Sequence, residues 1–239
     1  MIHGKKIGAV IAAGGSGKRM GTTTSKQLLS LDGESILFRT LKVFQESKEV
    51  DIVVISAHEK DIASIKKIVD TNKLSKVISV VSGGSQRQDS VWNGLQALKE
   101  SNIDVVLVHD AVRPFINQEM ICSVAKAAIE HGAAVVAVRP KDTIKVSAGN
   151  GFAERTLERE KAWIVQTPQA FEFNLLWTAF EKAMRDRFYG TDDASLVEQL
   201  GKTIKIVEGN YSNIKITTPE DLAFAEAISR EFQNHTGGS

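Results

Sequence analysis

The sequence predicts an α/β fold built on a doubly wound, mostly parallel sheet. Short apolar runs of strand length alternate along the chain with segments whose apolar residues recur at helical spacing. Each run is apolar throughout rather than at every second residue, which is typical of parallel strands covered by helices on both faces. The first run leads straight into a glycine-rich loop, and ligands of such folds bind at the carboxyl ends of the strands.

The first part of the chain holds the elements of this sheet. Its predicted strands are residues 7–11, 52–55, 77–81, 105–108 and 133–138. Apolar residues three or four apart predict the helices between them, at residues 36–44, 62–69, 90–98 and 119–130. Strand and helix therefore alternate regularly, as they do in βαβ units.

This alternation ends at Lys141, where the chain becomes polar as far as Gln166. Within this stretch Asn150-Gly151 separates two alternating runs, which is a strong hairpin signal. We expect a β-arm at about residues 141–166 that projects from the sheet. Because a two-stranded arm cannot bury both of its faces alone, it should pack on a second copy of the chain.

Regular elements return after the arm. We expect helices at residues 173–186 and 193–200 and strands at residues 203–207 and 213–216. A last helix should begin at Thr218-Pro219-Glu220-Asp221, with Thr218 as its N-cap and Pro219 as its first residue. No linker or internal repeat divides the sequence, so we assign residues 1–239 to one domain that includes the arm.

Composition excludes several functional classes. The 30 Lys and Arg residues against 29 Asp and Glu give a formal net charge of +1, so neither nucleic acid nor an anionic membrane is expected as the main partner. No apolar run approaches the roughly 20 residues of a membrane span. The single cysteine, Cys122, cannot form an intramolecular disulfide, which favours a reducing, cytoplasmic location.

The loop after the first strand, Gly14-Gly15-Ser16-Gly17-Lys18-Arg19-Met20-Gly21, predicts a polyphosphate site. Glycines let backbone N–H groups approach phosphate oxygens, and basic side chains neutralise their charge. A Walker A loop would require glycine in place of Ala12 and Ser or Thr in place of Arg19. A dinucleotide fingerprint would require glycine in place of Met20, so neither common motif fits.

The pattern that remains, G-G-x-G-x-R-M-G followed by Lys26, resembles the signature of sugar-nucleotide nucleotidyltransferases. The resemblance implies that the loop holds a nucleoside triphosphate whose phosphates lie between Arg19 and Lys26. The alternative is a glycine turn before a solvated basic helix start, and Lys18 is expected to be a solvated charge.

Further segments in fixed order narrow the resemblance. They are GGSQRQDSV (83–91), HDAVRP (109–114), QTPQAF (166–171), TDDAS (191–195) and NIKITTPED (213–221). With the loop, they resemble the 2-C-methyl-D-erythritol 4-phosphate cytidylyltransferases of the non-mevalonate isoprenoid pathway, from about residue 6 to residue 232. The resemblance implies a cytoplasmic homodimer that depends on Mg²⁺ or another divalent cation. It would transfer CMP from CTP to this sugar-alcohol phosphate and release pyrophosphate.

Other functions stay open at this point. Val112 stands where that family often has a second alanine, and the DAVRP form also occurs in ribitol-5-phosphate cytidylyltransferases. The segments TDDAS (191–195) and WIVQ (163–166) look more like the methylerythritol enzymes. A nicotinamide dehydrogenase is disfavoured by Arg19 and Met20. A catalytically silent nucleotide-binding regulator is disfavoured because candidate phosphate-clamping and metal-binding groups occur together.

The implied chemistry needs no strong general base, since a phosphate monoester is largely anionic at neutral pH. The protein must align two anions and stabilise the charge that builds on the α-phosphate. The catalytic candidates are Arg19, Lys26 and, by resemblance, Lys215. Asp110, at the end of the fourth strand, is the candidate Mg²⁺ ligand because carboxylates bind this ion together with phosphates. By resemblance, Asp110 also contacts the acceptor hydroxyls.

Candidates for substrate binding follow in two sets. Small residues allow a close approach to cytosine, and the resemblance adds one arginine near the nucleotide. The predicted nucleotide-binding residues are Ala12, Ala13, Gly14, Gly15, Gly84, Ser85, Arg87 and Ser90. The set for the acceptor phosphate is Arg113, Thr143, Thr167, Thr191 and Lys215. By resemblance, Arg159 reaches from the arm into the neighbouring subunit's site; the alternative is that it only solvates the hairpin. We expect His109 to be a packing residue, and Asp192 and Asp193 to mark a helix start.

Overall fold

The structure is a computed structural model that describes residues 2, 4–15 and 24–232 in full and the main chain of residues 233–236. Its strands are β1 (Ile7–Ala13), β2 (Ser30–Leu31), β3 (Glu34–Ser35), β4 (Ile52–Ala57), β5 (Val77–Ser82), β6 (Val105–Asp110), β7 (Ala133–Val138), β8 (Lys145–Gly149), β9 (Phe152–Thr156), β10 (Ile164–Glu172) and β11 (Lys205–Glu208). Its helices are α1 (Ile36–Glu46), α2 (Ile62–Thr71), α3 (Arg87–Leu98), α4 (Gln118–His131), α5 (Phe173–Asp186), α6 (Asp193–Glu198) and α7 (Pro219–Thr236).

Within the described residues a seven-stranded sheet runs in the order β11-β7-β10-β6-β1-β4-β5. β10 is antiparallel to β6 and β7, and the other neighbouring strands are parallel. The expected α/β class with a mostly parallel, doubly wound sheet is therefore confirmed. The expected strands and helices up to residue 138 all form, with small shifts at their ends.

Helices cover both faces of this sheet because the side chains of its buried strands alternate between two cores. Ile7, Ala9 and Ile11 of β1 face α1, α2 and α4, whereas Val10 of β1 faces α3, α5 and α6. Each large side chain that is fully buried, such as Ile11, stabilises the fold by about 1.5–3 kcal/mol. A smaller core joins α7 to the loop after β6.

Two expectations for the second half of the chain are wrong. Residues 164–166, expected at the end of the arm, instead begin β10, an interior strand of the sheet that also contains the rest of the QTPQAF segment. Residues 213–216 do not form a strand. The Asn213 side-chain amide donates instead to Gln166 Oε1 (3.1 Å) and to the Thr167 carbonyl (2.9 Å), which ties this segment to β10.

The hairpin of the arm forms as expected. β8 and β9 pair antiparallel around Asn150, and Gly149 and Gly151 adopt φ values of 85° and 87° that favour glycine. Most of the hairpin is exposed, including 71% of Phe152 at its tip. No helix in the described part of the chain is long and apolar enough to cross a membrane.

Candidate active site

A cavity of about 510 Å³ opens where β1 and β6 end, beside the first turn of α3. We call it the larger cavity. Lys26, Asp110 and Lys215 line it, together with every residue predicted to bind the nucleotide: Ala12, Ala13, Gly14, Gly15, Gly84, Ser85, Arg87 and Ser90. The structure therefore brings together segments that are far apart in the sequence. Arg19 lies outside the described residues.

The walls of the larger cavity are packed so closely that two positions need glycine. A Cβ atom on Gly14 would lie 2.6 Å from Ser90 Oγ, and one on Gly84 would lie 2.2 Å from the Cβ of Asp89. Ser90 Oγ accepts a hydrogen bond from the Gly84 N–H (3.1 Å) and donates to the Gln86 carbonyl (3.1 Å). Ser90 therefore holds the loop before α3 in place.

A second cavity of about 290 Å³, the smaller cavity, adjoins the first. It contains Arg113, Thr167 and Thr191 from the predicted acceptor set. Arg87, Asp110 and Lys215 line both cavities and mark their junction. Two ligands that occupied the cavities would thus meet at Asp110.

Asp110 is a nearly buried carboxylate that three basic side chains surround. Its Oδ1 accepts a hydrogen bond from Arg87 Nε (2.9 Å), and its Oδ2 lies 2.8 Å from Lys215 Nζ and 3.6 Å from Arg113 Nε. Burial alone would raise the pKa of Asp110, but these cations outweigh it and hold the pKa well below its usual range. Asp110 is therefore ionised at neutral pH.

Arg87 joins this cluster to α6, since its Nη1 lies 2.8 Å from Oδ2 of the buried Asp193. Burial would lower the pKa of Arg87, but Asp193 and Asp110 raise it further than burial lowers it. Burial raises the pKa of Asp193. Three basic groups, Arg87, Arg113 and Lys215, thus face two carboxylates, which leaves a net positive charge suited to anionic ligands.

Asp192 and Asp193 lie at the start of α6, as expected, and Asp193 has a second role. Asp192 accepts a hydrogen bond from the Ser195 N–H (3.0 Å) and so caps α6. Asp193 does more than begin this helix, because it holds Arg87.

His109 is fully buried, and its ring lies 5.2 Å from that of Phe44. Burial lowers the pKa of His109 to about 4.

Two buried glutamines that were not among the residues predicted for the site support it. Gln27 Nε2 donates to the Ala13 carbonyl (2.9 Å) and to Asp61 Oδ2 (3.1 Å). This anchors the turn that carries Lys26 to the end of β1. Gln169 Oε1 accepts from the main-chain N–H groups of Asp193 (3.1 Å) and Ala194 (3.0 Å), at the start of α6. The available signals were that Gln27 directly follows Lys26 and that Gln169 lies within the QTPQAF motif.

Two residues predicted for the acceptor site stand apart from the cavities. Thr143 lies before β8 and Arg159 lies between β9 and β10, and both are exposed. Neither lines the larger or the smaller cavity within one chain.

The protein alone offers few ligands for a metal ion. In residues 4–15 and 24–232, no three His, Cys, Asp or Glu side chains are placed to hold one.

Comparisons with known proteins agree on one family. Residues 7–231 match the family model described as IspD, 2-C-methyl-D-erythritol 4-phosphate cytidylyltransferase. A relative of that name from Geobacillus thermodenitrificans is 46% identical over 220 residues, covering 92% of this chain and 95% of its own. Another, from Geobacter metallireducens, is 47% identical over 227 residues, covering 93% of this chain and 97% of its own.

Solved structures give the same result. The crystal structure of 4-diphosphocytidyl-2C-methyl-D-erythritol synthase from Anaerococcus prevotii superposes with a TM-score of 0.86 at 33% identity, covering 96% of this chain and 98% of that one. The 2-C-methyl-D-erythritol 4-phosphate cytidylyltransferase of Thermus thermophilus gives a TM-score of 0.75 at 31% identity, covering 94% of this chain and 99% of that one.

Proposed function

Because the chain belongs to the 2-C-methyl-D-erythritol 4-phosphate cytidylyltransferase family, we propose that its larger cavity holds CTP and its smaller cavity holds the acceptor phosphate. The reaction transfers CMP to 2-C-methyl-D-erythritol 4-phosphate, giving 4-diphosphocytidyl-2-C-methyl-D-erythritol and pyrophosphate. Membership of the family favours this acceptor over ribitol 5-phosphate.

The observation that carries this assignment is the shared set of Arg87, Asp110 and Lys215 at the junction of the two cavities. A transfer reaction needs the attacking phosphate and the α-phosphate in contact, and the junction is where ligands of both cavities meet. The larger cavity has the glycine-lined wall that a nucleotide requires, and the smaller one has Arg113, Thr167 and Thr191 for a compact polar ligand.

The chemistry proceeds by attack of an acceptor phosphate oxygen on the α-phosphorus of CTP. The bond from the α-phosphorus to the bridging oxygen breaks, and pyrophosphate leaves with the electron pair. Lys26 and Lys215 stabilise the charge that builds on the phosphates, and Arg113 orients the acceptor. Lys26 runs so close to Gly15 that a Cβ atom there would lie 3.3 Å from the lysine Cε. Arg19 is assigned to the same phosphates by its motif.

We assign Mg²⁺ as the metal of this site. Mg²⁺ is usually held by one or two carboxylates together with substrate phosphates, so a site with few acidic groups fits a cation bound mainly by CTP. Asp110 is the carboxylate that lines both cavities, and it would be the protein's contribution. Bound there, Mg²⁺ would neutralise charge on the triphosphate.

We also propose that the active form is a cytoplasmic homodimer joined through the arm. Thr143 is predicted for the acceptor phosphate and Arg159 is placed at the acceptor by the resemblance, yet both are exposed and away from the cavities of their own chain. A second copy would bring them to its partner's smaller cavity. Phe152 at the tip of the arm and Ile164 at its base, 71% and 48% exposed, are apolar surfaces that such a dimer would cover.

The test is an assay of pyrophosphate release with CTP and Mg²⁺, in which the acceptor is varied. We expect release with 2-C-methyl-D-erythritol 4-phosphate and little with ribitol 5-phosphate or without acceptor. Release only with ribitol 5-phosphate would refute the acceptor assignment. Tight CTP binding without turnover on any acceptor would favour a regulator instead.

A further inference from the structure

His109 is a buried side chain that the chemistry above leaves without a role. It lies at the end of β6, directly before Asp110, and its ring is fully enclosed. Its Nε2 lies 3.1 Å from the carbonyl oxygen of Arg113, and its Nδ1 lies 3.0 Å from Thr167 Oγ1. The ring therefore connects two residues of the smaller cavity that come from different elements.

The chemistry of these partners fixes the direction of each hydrogen bond. A carbonyl oxygen only accepts, so the proton of the neutral ring is on Nε2 and points to Arg113. Nδ1 then carries a lone pair and accepts from the Thr167 hydroxyl. The main-chain N–H of Asp110 donates to the same hydroxyl oxygen at 3.1 Å. Thr167 thus gives its one proton to His109 and is itself held by Asp110.

We propose that His109 is a positioning residue for the acceptor: it fixes the Thr167 hydroxyl and the main chain of Arg113 relative to Asp110. The proposal rests on the proposed function, which places the acceptor in the smaller cavity. Thr167 then presents a lone pair to the cavity rather than a proton. A lone pair suits a hydroxyl group of the sugar alcohol, so Thr167 binds a hydroxyl rather than the phosphate expected from the sequence. The acceptor phosphate is then left to the basic groups Arg113 and Lys215.

The guanidinium of Arg113 is held by contacts of its own. Nη1 of Arg113 donates to the Asn213 carbonyl at 2.8 Å, while Nε faces Asp110 at 3.6 Å. The side chain is thus held at its far end as well as through the backbone. Both hydrogen bonds of the His109 ring go to residues of the smaller cavity, so His109 acts on the acceptor half of the site.

The experiment measures KM for both substrates in His109→Leu and His109→Asn. The leucine removes both hydrogen bonds, whereas the asparagine keeps a polar atom near the Nδ1 position to accept from Thr167. We expect His109→Leu to raise KM for the acceptor about ten-fold, the size of one lost hydrogen bond, and to leave KM for CTP within about three-fold. His109→Asn should recover much of the loss. Phe180→Leu, a buried aromatic on α5, controls for loss of stability alone.

The proposal would be overturned if His109→Leu changed KM for the acceptor and KM for CTP equally. It would also be overturned if Phe180→Leu raised KM for the acceptor alone, as His109→Leu is expected to do. Wild-type KM for the acceptor in His109→Leu would overturn it as well. If neither variant folds, ¹⁵N spectra of histidine-labelled wild-type protein decide: a proton on Nε2 supports the proposal, and one on Nδ1 of a neutral ring refutes it. A wild-type protein that releases no pyrophosphate with either acceptor would instead count against the proposed function.

Discussion

Nε of Arg87 donates to Oδ1 of Asp110 at 2.9 Å, at the junction of the larger and smaller cavities. One side chain begins α3 and the other ends β6, so the contact joins two βαβ units where their strands end. Asp193 holds the other side of the guanidinium. Because both carboxylates face basic groups, the junction is ordered before ligands bind, which is the condition for electrostatic catalysis without reorganisation.

Replacing Asp110 with asparagine should keep the shape of the junction and remove its charge. We expect kcat/KM to fall by about 100-fold or more, since Arg87, Arg113 and Lys215 lose the group that orients them. Steady-state kinetics of Asp110→Asn measure this. Asp70→Asn, which makes the same change at an exposed position of α2, is the matched control and should leave turnover near that of the wild type. Near-normal turnover of Asp110→Asn would remove Asp110 from the chemistry.

Lys26→Ala should lower kcat strongly without unfolding the protein. Lys26 lines the larger cavity from a short turn, so its loss removes positive charge from the cavity and little packing from the core. We expect a fall of about 100-fold in kcat, the size seen when one group that stabilises a transition state is lost. Circular dichroism checks the fold, and Lys66→Ala, at an exposed position of α2, is the control. Turnover equal to that of the control would contradict this role.

Gln27→Leu tests whether the buried amide fixes the turn that carries Lys26. The variant leaves the Ala13 carbonyl and the Asp61 carboxylate without their donor. We expect it to lower the free energy of unfolding by about 1–3 kcal/mol. It should also lower kcat, because Lys26 is displaced. Urea unfolding and kinetics give the two values. Gln118→Leu, which removes an exposed glutamine, should change neither, and equal effects in the two variants would refute the anchor.

The low pKa of Asp110 makes a prediction about stability and pH. A carboxyl group whose pKa is depressed in the folded state stabilises the protein above its ordinary pKa, and this stability is lost as pH falls toward the folded value. Urea unfolding of wild type should therefore show a larger drop in the free energy of unfolding between about pH 6 and about pH 3 than Asp110→Asn shows. Because Asp193 is present in both proteins, its opposite shift largely cancels. Parallel pH profiles would contradict the prediction.

Mixed dimers test whether Arg159 serves the partner's site. Subunits with Arg159→Ala keep Lys26, and subunits with Lys26→Ala keep Arg159, so a heterodimer of the two would have one complete site. We expect an equal mixture to recover about a quarter of wild-type activity, above that of either parent. Arg155→Ala, at an exposed position of β9, should be close to wild type without mixing. Absence of recovery in confirmed heterodimers would show that the arm does not complete the site.

The sequence predicted the elements whose pattern is local. The alternation of buried strands with amphipathic helices up to Val138 formed as expected, because continuous apolar runs and helical spacing have few other solutions. β10 was missed because Gln166, Thr167 and Gln169 make it look like a polar loop. In the folded chain these side chains line the smaller cavity, next to an irregularity in the ladder between Val165 and Gln169.

The sequence indicated which motif residues lie close together but not which contacts hold them there. Motifs placed Arg87, Asp110 and Lys215 in one region, and the structure brings them to one junction. The pairing of Arg87 with Asp193, and of Gln27 with Asp61, joins residues far apart in the chain. No periodicity or spacing records such contacts, since they depend on how helices pack on the sheet.

Transfer of the α-phosphorus is the step on which the assignment of the two cavities depends. With CTP labelled at the α-phosphate, Mg²⁺ and 2-C-methyl-D-erythritol 4-phosphate, we expect the label to pass into the diphosphocytidyl product while the pyrophosphate stays unlabelled. If the label is found in CDP and the acceptor has gained a second phosphate, the acceptor has attacked the γ-phosphate. That result would contradict CMP transfer at Asp110.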